Sequence, residues 1–161
     1  MKPDYSIKEL STDDAIPYDL LLLADETTEA IDKYIFSCTI FTLVHNITNE
    51  VVGVMAVKKI NFDTVELKNI AIATQGQGKG LGSDMLSFLK SYTFDQNLLC
   101  IWVGTADIGY LQHRFYMRNG FEMDHIRKNF FLDNYSESII ENGLQMKHML
   151  VFSYSLKTHT N

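Results

Sequence analysis

Residues 66–89 read ELKNIAIATQGQGKGLGSDMLSFL, which is a strand, a glycine-rich turn and a helix in succession. Val65 to Ile72 is rich in β-branched and aliphatic residues, as a buried strand requires. Gly76, Gly78, Gly80 and Gly82 then alternate with Gln77, Lys79 and Leu81. Leu81, Met85, Phe88, Leu89 and Tyr92 follow at helical spacing and define one apolar face. Glycines at alternate positions let backbone N–H groups turn toward one point. The helix start adds unpaired donors and the positive end of its dipole. The stretch therefore reads as a pyrophosphate cradle. A tight turn that binds nothing is the plain alternative, but one glycine would suit that.

The P-loop pattern fails because Lys79 is followed by Gly80, and G-x-G-x-x-G fails in every register. Gln77-Gly78-Lys79-Gly80-Leu81-Gly82 instead resembles the Q/R-x-x-G-x-G/A signature of the GNAT N-acetyltransferase superfamily. The resemblance implies that acetyl-CoA is the co-substrate. It places the pyrophosphate on the amides of Gln77, Gly78, Lys79, Gly80, Leu81, Gly82 and Ser83.

The chain of 161 residues suits one domain spanning 1–161, with a loose tail at 157–161. Its composition, 46% apolar and 21% charged, is that of an ordinary globular protein. No apolar run is long enough to cross a bilayer, and MKPDYSIKEL lacks the apolar segment of a signal peptide, so cytoplasm is the expectation. Cys38 and Cys100 fall in expected strands and read as buried free thiols. The five histidines show no ligand spacing, and no metal site is expected. The net charge of −6 disfavours nucleic acid as a partner. Residues 1–37 hold nine acids against three lysines, which is the whole of that charge. A solvated acidic surface is the bland reading of the excess.

In order, the pattern predicts a strand at Tyr5–Leu10, short helices at Tyr18–Ala24 and Thr27–Ser37, and strands at Cys38–Val44, Val51–Asn61 and Val65–Ile72. The helix from Leu81 follows, then a buried strand at Leu98–Val103 parallel to the Val65 strand. A helix at Ile108–Asn119 comes next, with Ile108, Leu111 and Phe115 inward and Gly120 ending it. Strands at Phe121–Arg127 and Leu144–Leu156 flank a long connection, Asn129–Asn142. This order resembles the GNAT fold, an α/β (α+β) architecture. The resemblance implies a mixed, mostly antiparallel seven-stranded sheet flanked by about four helices. It also implies a parallel pair splayed at the cofactor site, with the pantetheine arm against Ile70, Ala71 and Ile72 and an oxyanion donor at the N–H near Ile72.

Acetyl transfer to an amine needs a proton acceptor, stabilisation of the carbonyl oxygen and a proton for the leaving sulfur. TADIGYLQHRFYMRNGF resembles the family segment in which a tyrosine stands shortly before Gly-Phe. That makes Tyr116 the candidate acid and a cofactor contact, with a core aromatic as the alternative. Asp107 stands where relatives often carry a cofactor-touching asparagine; capping of the next helix is its other reading. Glu66 matches by position the general base of the histone-acetylating branch, with a plain strand carboxylate as the alternative. Cys100, mid-strand, is a poor place for a reactive thiolate, so direct transfer in a ternary complex is expected.

The leading reading is an acetyl-CoA-dependent N-acetyltransferase acting on a primary amine. The acceptor, small molecule or peptide, is expected to be a cationic amine, given the acidic first quarter and Asp133, Glu137 and Glu141 in the long connection. A non-catalytic acyl-CoA-binding or sensor domain of the same fold is the second reading. A nucleotide-binding α/β domain, disfavoured by the failed motifs, is the third. No membrane partner is expected, and a homodimer stays open.

Overall fold

The computed structural model describes residues 2–156, so the tail expected at 157–161 lies outside the described residues. Strands β1 (Tyr5–Glu9), β2 (Thr39–His45), β3 (Val51–Lys59) and β4 (Thr64–Ile72) form an antiparallel meander. Two short helices, α1 (Tyr18–Leu21) and α2 (Thr28–Asp32), lie between β1 and β2, followed by a 3-10 turn at Ile35–Ser37. Helix α3 (Leu81–Asp95) carries the chain to β5 (Cys100–Ala106), which pairs parallel with β4. Next come α4 (Tyr110–Arg118), β6 (Glu122–Arg127), α5 (Phe130–Asn134), a small hairpin of β7 (Ile140–Glu141) and β8 (Leu144–Gln145), and β9 (Met149–Ser155). Strand β9 inserts between β5 and β6, giving a seven-stranded sheet in the order β1-β2-β3-β4-β5-β9-β6. Mixed pairing, the parallel pair and the flanking helices are as expected.

Each face of the sheet carries a core. On one, Met85, Leu86 and Leu89 of α3 meet Leu43, Met55, Leu67 and Ile101. On the other, Leu21 of α1 and Ile31 of α2 meet Val54, Ala56 and Ala71. The apolar face predicted for α3 is thus the one that seals the core.

Several expectations are corrected. The helices before β2 are a single turn or so each. The Thr27 hydroxyl, 3.1 Å from the Ala30 N–H, caps the second in the ordinary way. Helix α4 starts two residues later than expected and packs through its last turns. Leu111 is 78% exposed, and Tyr116 is buried where Phe115 was expected to be the deeper residue. Cys38 lies ahead of β2 rather than inside it, and both thiols are free and half-buried. The strand expected over 144–156 is interrupted. Asn142 (φ 50°) and Gly143 (φ 78°) turn the chain, and Leu144 pairs with Glu141 before β9 begins. Asn-Gly in this left-handed pair is the favoured two-residue hairpin turn.

One irregularity shapes the site. In the β3–β4 ladder Val57 faces Leu67 and Ala56 faces Asn69, so Lys68 is an extra, bulged residue. Before it Val65 and Leu67 point to the α3 core; after it Ile70 and Ile72 do.

Candidate functional site

Strands β4 and β5 pair only from Thr64–Cys100 to Leu67–Val103. Beyond that point they part, although β4 runs on to Ile72 and β5 to Ala106. The separation begins at the Lys68 bulge. It leaves the β5-facing backbone groups of residues 68–72 without a partner strand, as the notched edge of a sheet would. A cavity of about 990 Å³ fills the opening, lined by Glu66, Ile70, Ala71 and Ile72 from β4 and by Gly104 and Thr105 from β5.

At one end stands the glycine loop. The amides of Gly78 through Ser83 have no backbone acceptor among the described residues. Six successive donors thus remain at the start of a 15-residue helix, whose dipole favours an anion there. Gly78 (φ 73°) and Gly80 (φ 80°) hold the left-handed conformation that lets the loop present these groups, and among the described residues none beyond the chain neighbours stands within 4 Å of the place a Cβ would take. Gln77 lines the cavity as well. Its Nε2 donates to the Ile72 carbonyl at 3.0 Å, tying the loop to the end of β4. Gly78, Gly80, Leu81, Gly82 and Ser83 line the cavity; Lys79 does not, and its carbonyl accepts from the Lys2 ammonium.

Tyr116 reaches the same cavity from α4. Its ring packs on Phe121 and Phe152, with centroids 5.8 and 6.4 Å away. Burial pushes its phenol above the ordinary value, so the hydroxyl stays protonated across the physiological range. Asp107 lies apart from the cavity lining. Its carboxylate accepts from the Lys147 N–H at 3.2 Å, and its own N–H donates to the His148 carbonyl, so it joins the end of β5 to the approach of β9. Helix α4 begins three residues later and has no side-chain cap.

Glu66 is 5% exposed. Its Oε1 receives Arg127 Nη1 at 2.7 Å and Lys68 Nζ at 3.5 Å, while Oε2 accepts no hydrogen bond among the described residues. Arg127 carried no signal in sequence, standing 61 residues away.

A second wall carries three acids and Lys33. Asp25, Glu26 and Glu141 line the cavity. The Asp25 carboxylate accepts from the Tyr34 hydroxyl at 3.2 Å and the Tyr135 hydroxyl at 3.1 Å, which joins the segment after β1 to the connection after β6. Desolvation, reinforced by Asp25 and Glu141, raises the Glu26 carboxyl above its usual range. Asn69 completes the wall, donating through Nδ2 to the Leu21 carbonyl and to the Tyr34 hydroxyl.

Comparison with known proteins agrees with this geometry. The family model described as "Acetyltransferase (GNAT) family" matches residues 6–121. An uncharacterized N-acetyltransferase of Bacillus subtilis, YvbK, is 33% identical over 133 residues, covering 83% of this chain and 84% of its own. A GNAT family acetyltransferase from Elizabethkingia anophelis, solved with acetyl-CoA bound, superposes with a TM-score of 0.91 at 35% identity, over 96% of this chain and 100% of that one. A Bacillus subtilis acetyltransferase in complex with CoA gives 0.85 at 30% identity, over 95% and 99%. With a matched family model spanning most of its length, and relatives above 30% identity over nearly all of it, the chain belongs to the GNAT acetyltransferase family.

Proposed function

We propose that the protein is an acetyl-CoA-dependent N-acetyltransferase that moves the acetyl group to a primary amine by direct transfer in a ternary complex. The observation that carries this is the convergence of three features on one cavity: six unpartnered amides, the parted strands β4 and β5, and the buried Tyr116. The relatives solved with acetyl-CoA and CoA support the same co-substrate. The amides of Gly78 to Ser83 would hold its pyrophosphate. The free edge of β4 at Ile70, Ala71 and Ile72 would take its arm as an added strand.

Bound there, acetyl-CoA supplies an activated acyl group as a thioester. The chain's residues do the rest. Glu66 takes a proton from the amine at Oε2, directly or through a water, as the C–N bond forms. Backbone N–H groups at the free edge near Ile72 stabilise the carbonyl oxygen. Tyr116 donates its phenolic proton at the sulfur as the C–S bond breaks. Holding both reactants in one cavity supplies much of the acceleration. Lys79 serves through its backbone amide alone, and Asp107 has no part in this scheme.

The acceptor is a cationic amine. Asp25, Glu26 and Glu141 face the space it would occupy, and carboxylates draw in a protonated amine and hold its remaining charge. Phe130, Phe131 and Tyr135 in the same wall can pack its methylenes. The test is release of CoA thiol from acetyl-CoA with a panel of cationic, neutral and anionic amines. Turnover with cationic members is expected. Tight acetyl-CoA binding with no turnover of any amine would leave the binding-only domain as the function.

A further inference from the structure

A bulge in β6 brings one ion pair together. In the β6–β9 ladder Met123 faces Phe152 and His125 faces Val151, so Asp124 is an extra residue in β6. Phe152 belongs to the α3 core, so Met123 points to that face of the sheet. A regular strand would carry Arg127, four residues on, to that face as well. The bulge reverses the parity. Arg127 faces Met149, which shares its side with Gly104's partner Val151 and, along β5, with Trp102, the residue paired with Glu66. The guanidinium thereby reaches across β9 and β5 and places Nη1 2.7 Å from Oε1 of the buried Glu66.

We propose that Arg127 is a positioning residue for catalysis, which holds Oε1 of Glu66 and leaves Oε2 to face the acceptor amine. The proposal rests on Glu66 as the proton acceptor. A buried carboxylate without a partner takes up a proton rather than stay charged. A charge-assisted hydrogen bond of this length fixes its orientation. The other groups about Glu66 are Lys68 on the same strand, Lys58 opposite it on β3, and Cys38 ahead of β2, whose thiol burial pushes up to about 11. From β6, Asp124 and His125 lie beyond the Trp102 ring. Of these only Lys68 and Arg127 pair with the Glu66 carboxylate, and Arg127 is the closer. Because Oε1 is occupied, Oε2 is the oxygen left for the proton.

The sign of the effect is fixed. A base works only when deprotonated, so activity falls on the acid side of its titration. Removing a cation at this range raises a carboxylate pKa by about one unit or more. The experiment compares the parent, Arg127→Gln, Arg127→Lys and Glu66→Gln by kcat/KM against pH at saturating acetyl-CoA. In parallel, the Glu66 carboxyl carbon is titrated by 13C NMR in the protein alone, assigned by its absence in Glu66→Gln. In Arg127→Gln the acid limb and the carboxyl midpoint are expected to rise together by about one unit, about a tenfold loss of rate one unit below the parent limb. Arg127→Lys should return both most of the way. A pair that serves stability alone would lower Tm and shift the carboxyl midpoint while leaving the acid limb of kcat/KM in place, which overturns the proposal. An acid limb that persists in Glu66→Gln would instead remove Glu66 as the base, an outcome the NMR midpoint tells apart from failure of Arg127. Should Arg127→Gln not fold, Arg127→Met supplies the second neutral variant for the same two readings.

Discussion

Gly82 lies against Phe115: a Cβ on Gly82 would stand 3.2 Å from the ring Cζ. The first turn of α3 and the middle of α4 therefore approach closely only because residue 82 has no side chain. Tyr116 follows Phe115 directly, so this contact sets where the candidate acid meets the cradle. Gly82→Ala is expected to leave Tm nearly unchanged, because the gain in helix propensity, about 1 kcal/mol, offsets the crowding. The displaced α4 should nonetheless lower kcat by roughly tenfold to a hundredfold through misplacement of Tyr116. Unchanged kcat in a folded Gly82→Ala protein would mean that the ring yields without moving the helix.

Tyr116→Phe is expected to lower kcat by roughly a hundredfold and to leave the KM for acetyl-CoA alone, since a proton donated at the departing sulfur acts in the transition state. Burial alone displaces its titration, with no hydrogen bond to lose, so little change in Tm at neutral pH is expected. Alkaline stability should respond. The folded chain holds the Tyr116 proton more tightly than the unfolded chain does. The Tyr116 contribution to stability is therefore level below about pH 10 and falls as pH rises above it. Tyr34 and Tyr135 are raised in the same sense, chiefly by desolvation, so the substitution should make that fall shallower without abolishing it. Melting curves from pH 8 to 11.5 and steady-state kinetics check the two parts separately.

The strand at Thr64–Ile72, the glycine loop and α3 were legible because each rests on a local signal: β-branched alternation, clustered glycines and a helical apolar face. Parallel pairing of β4 with β5 followed from connectivity alone. The bulge at Lys68 shows in sequence only as a shift of parity between Val65, Leu67 and Ile70, Ile72, and the one at Asp124 leaves no apolar signal. Arg127 and the Tyr135–Asp25 contact, 110 residues apart, depend on which strands end up side by side. The inward face of α4 was misjudged because Leu111 stays exposed while Tyr116 meets Phe121 and Phe152. The turn at Asn142–Gly143 was there to be read. Its alternating continuation, Leu144 to Leu156, hid it.

Glu26→Gln with Glu141→Gln is expected to raise the KM of a cationic acceptor several-fold and leave that of acetyl-CoA unchanged, each exposed charge contributing up to about 1 kcal/mol. These two acids are preferable to Asp25, whose carboxylate also anchors Tyr34 and Tyr135. The parent's acceptor KM should rise with ionic strength as the attraction is screened within about 8 Å at 0.15 M. A KM indifferent to both changes, or a preference for a neutral or anionic acceptor, would contradict the acidic wall as a recognition surface.

The seat of acetyl-CoA on the loop is the claim on which the rest depends, and calorimetric titration of acetyl-CoA tests it most directly. Gly80 has φ 80° at the N-cap of α3. Valine there must either strain the backbone or turn the amides of Leu81 to Ser83 away from the cavity. Gly80→Ala, a milder change at the same dihedral, serves as the second variant if valine does not fold. The account predicts a clear titration for the parent and a loss of affinity of tenfold or more, about 1.4 kcal/mol, for Gly80→Val. A folded Gly80→Val protein that binds acetyl-CoA as tightly as the parent would contradict it.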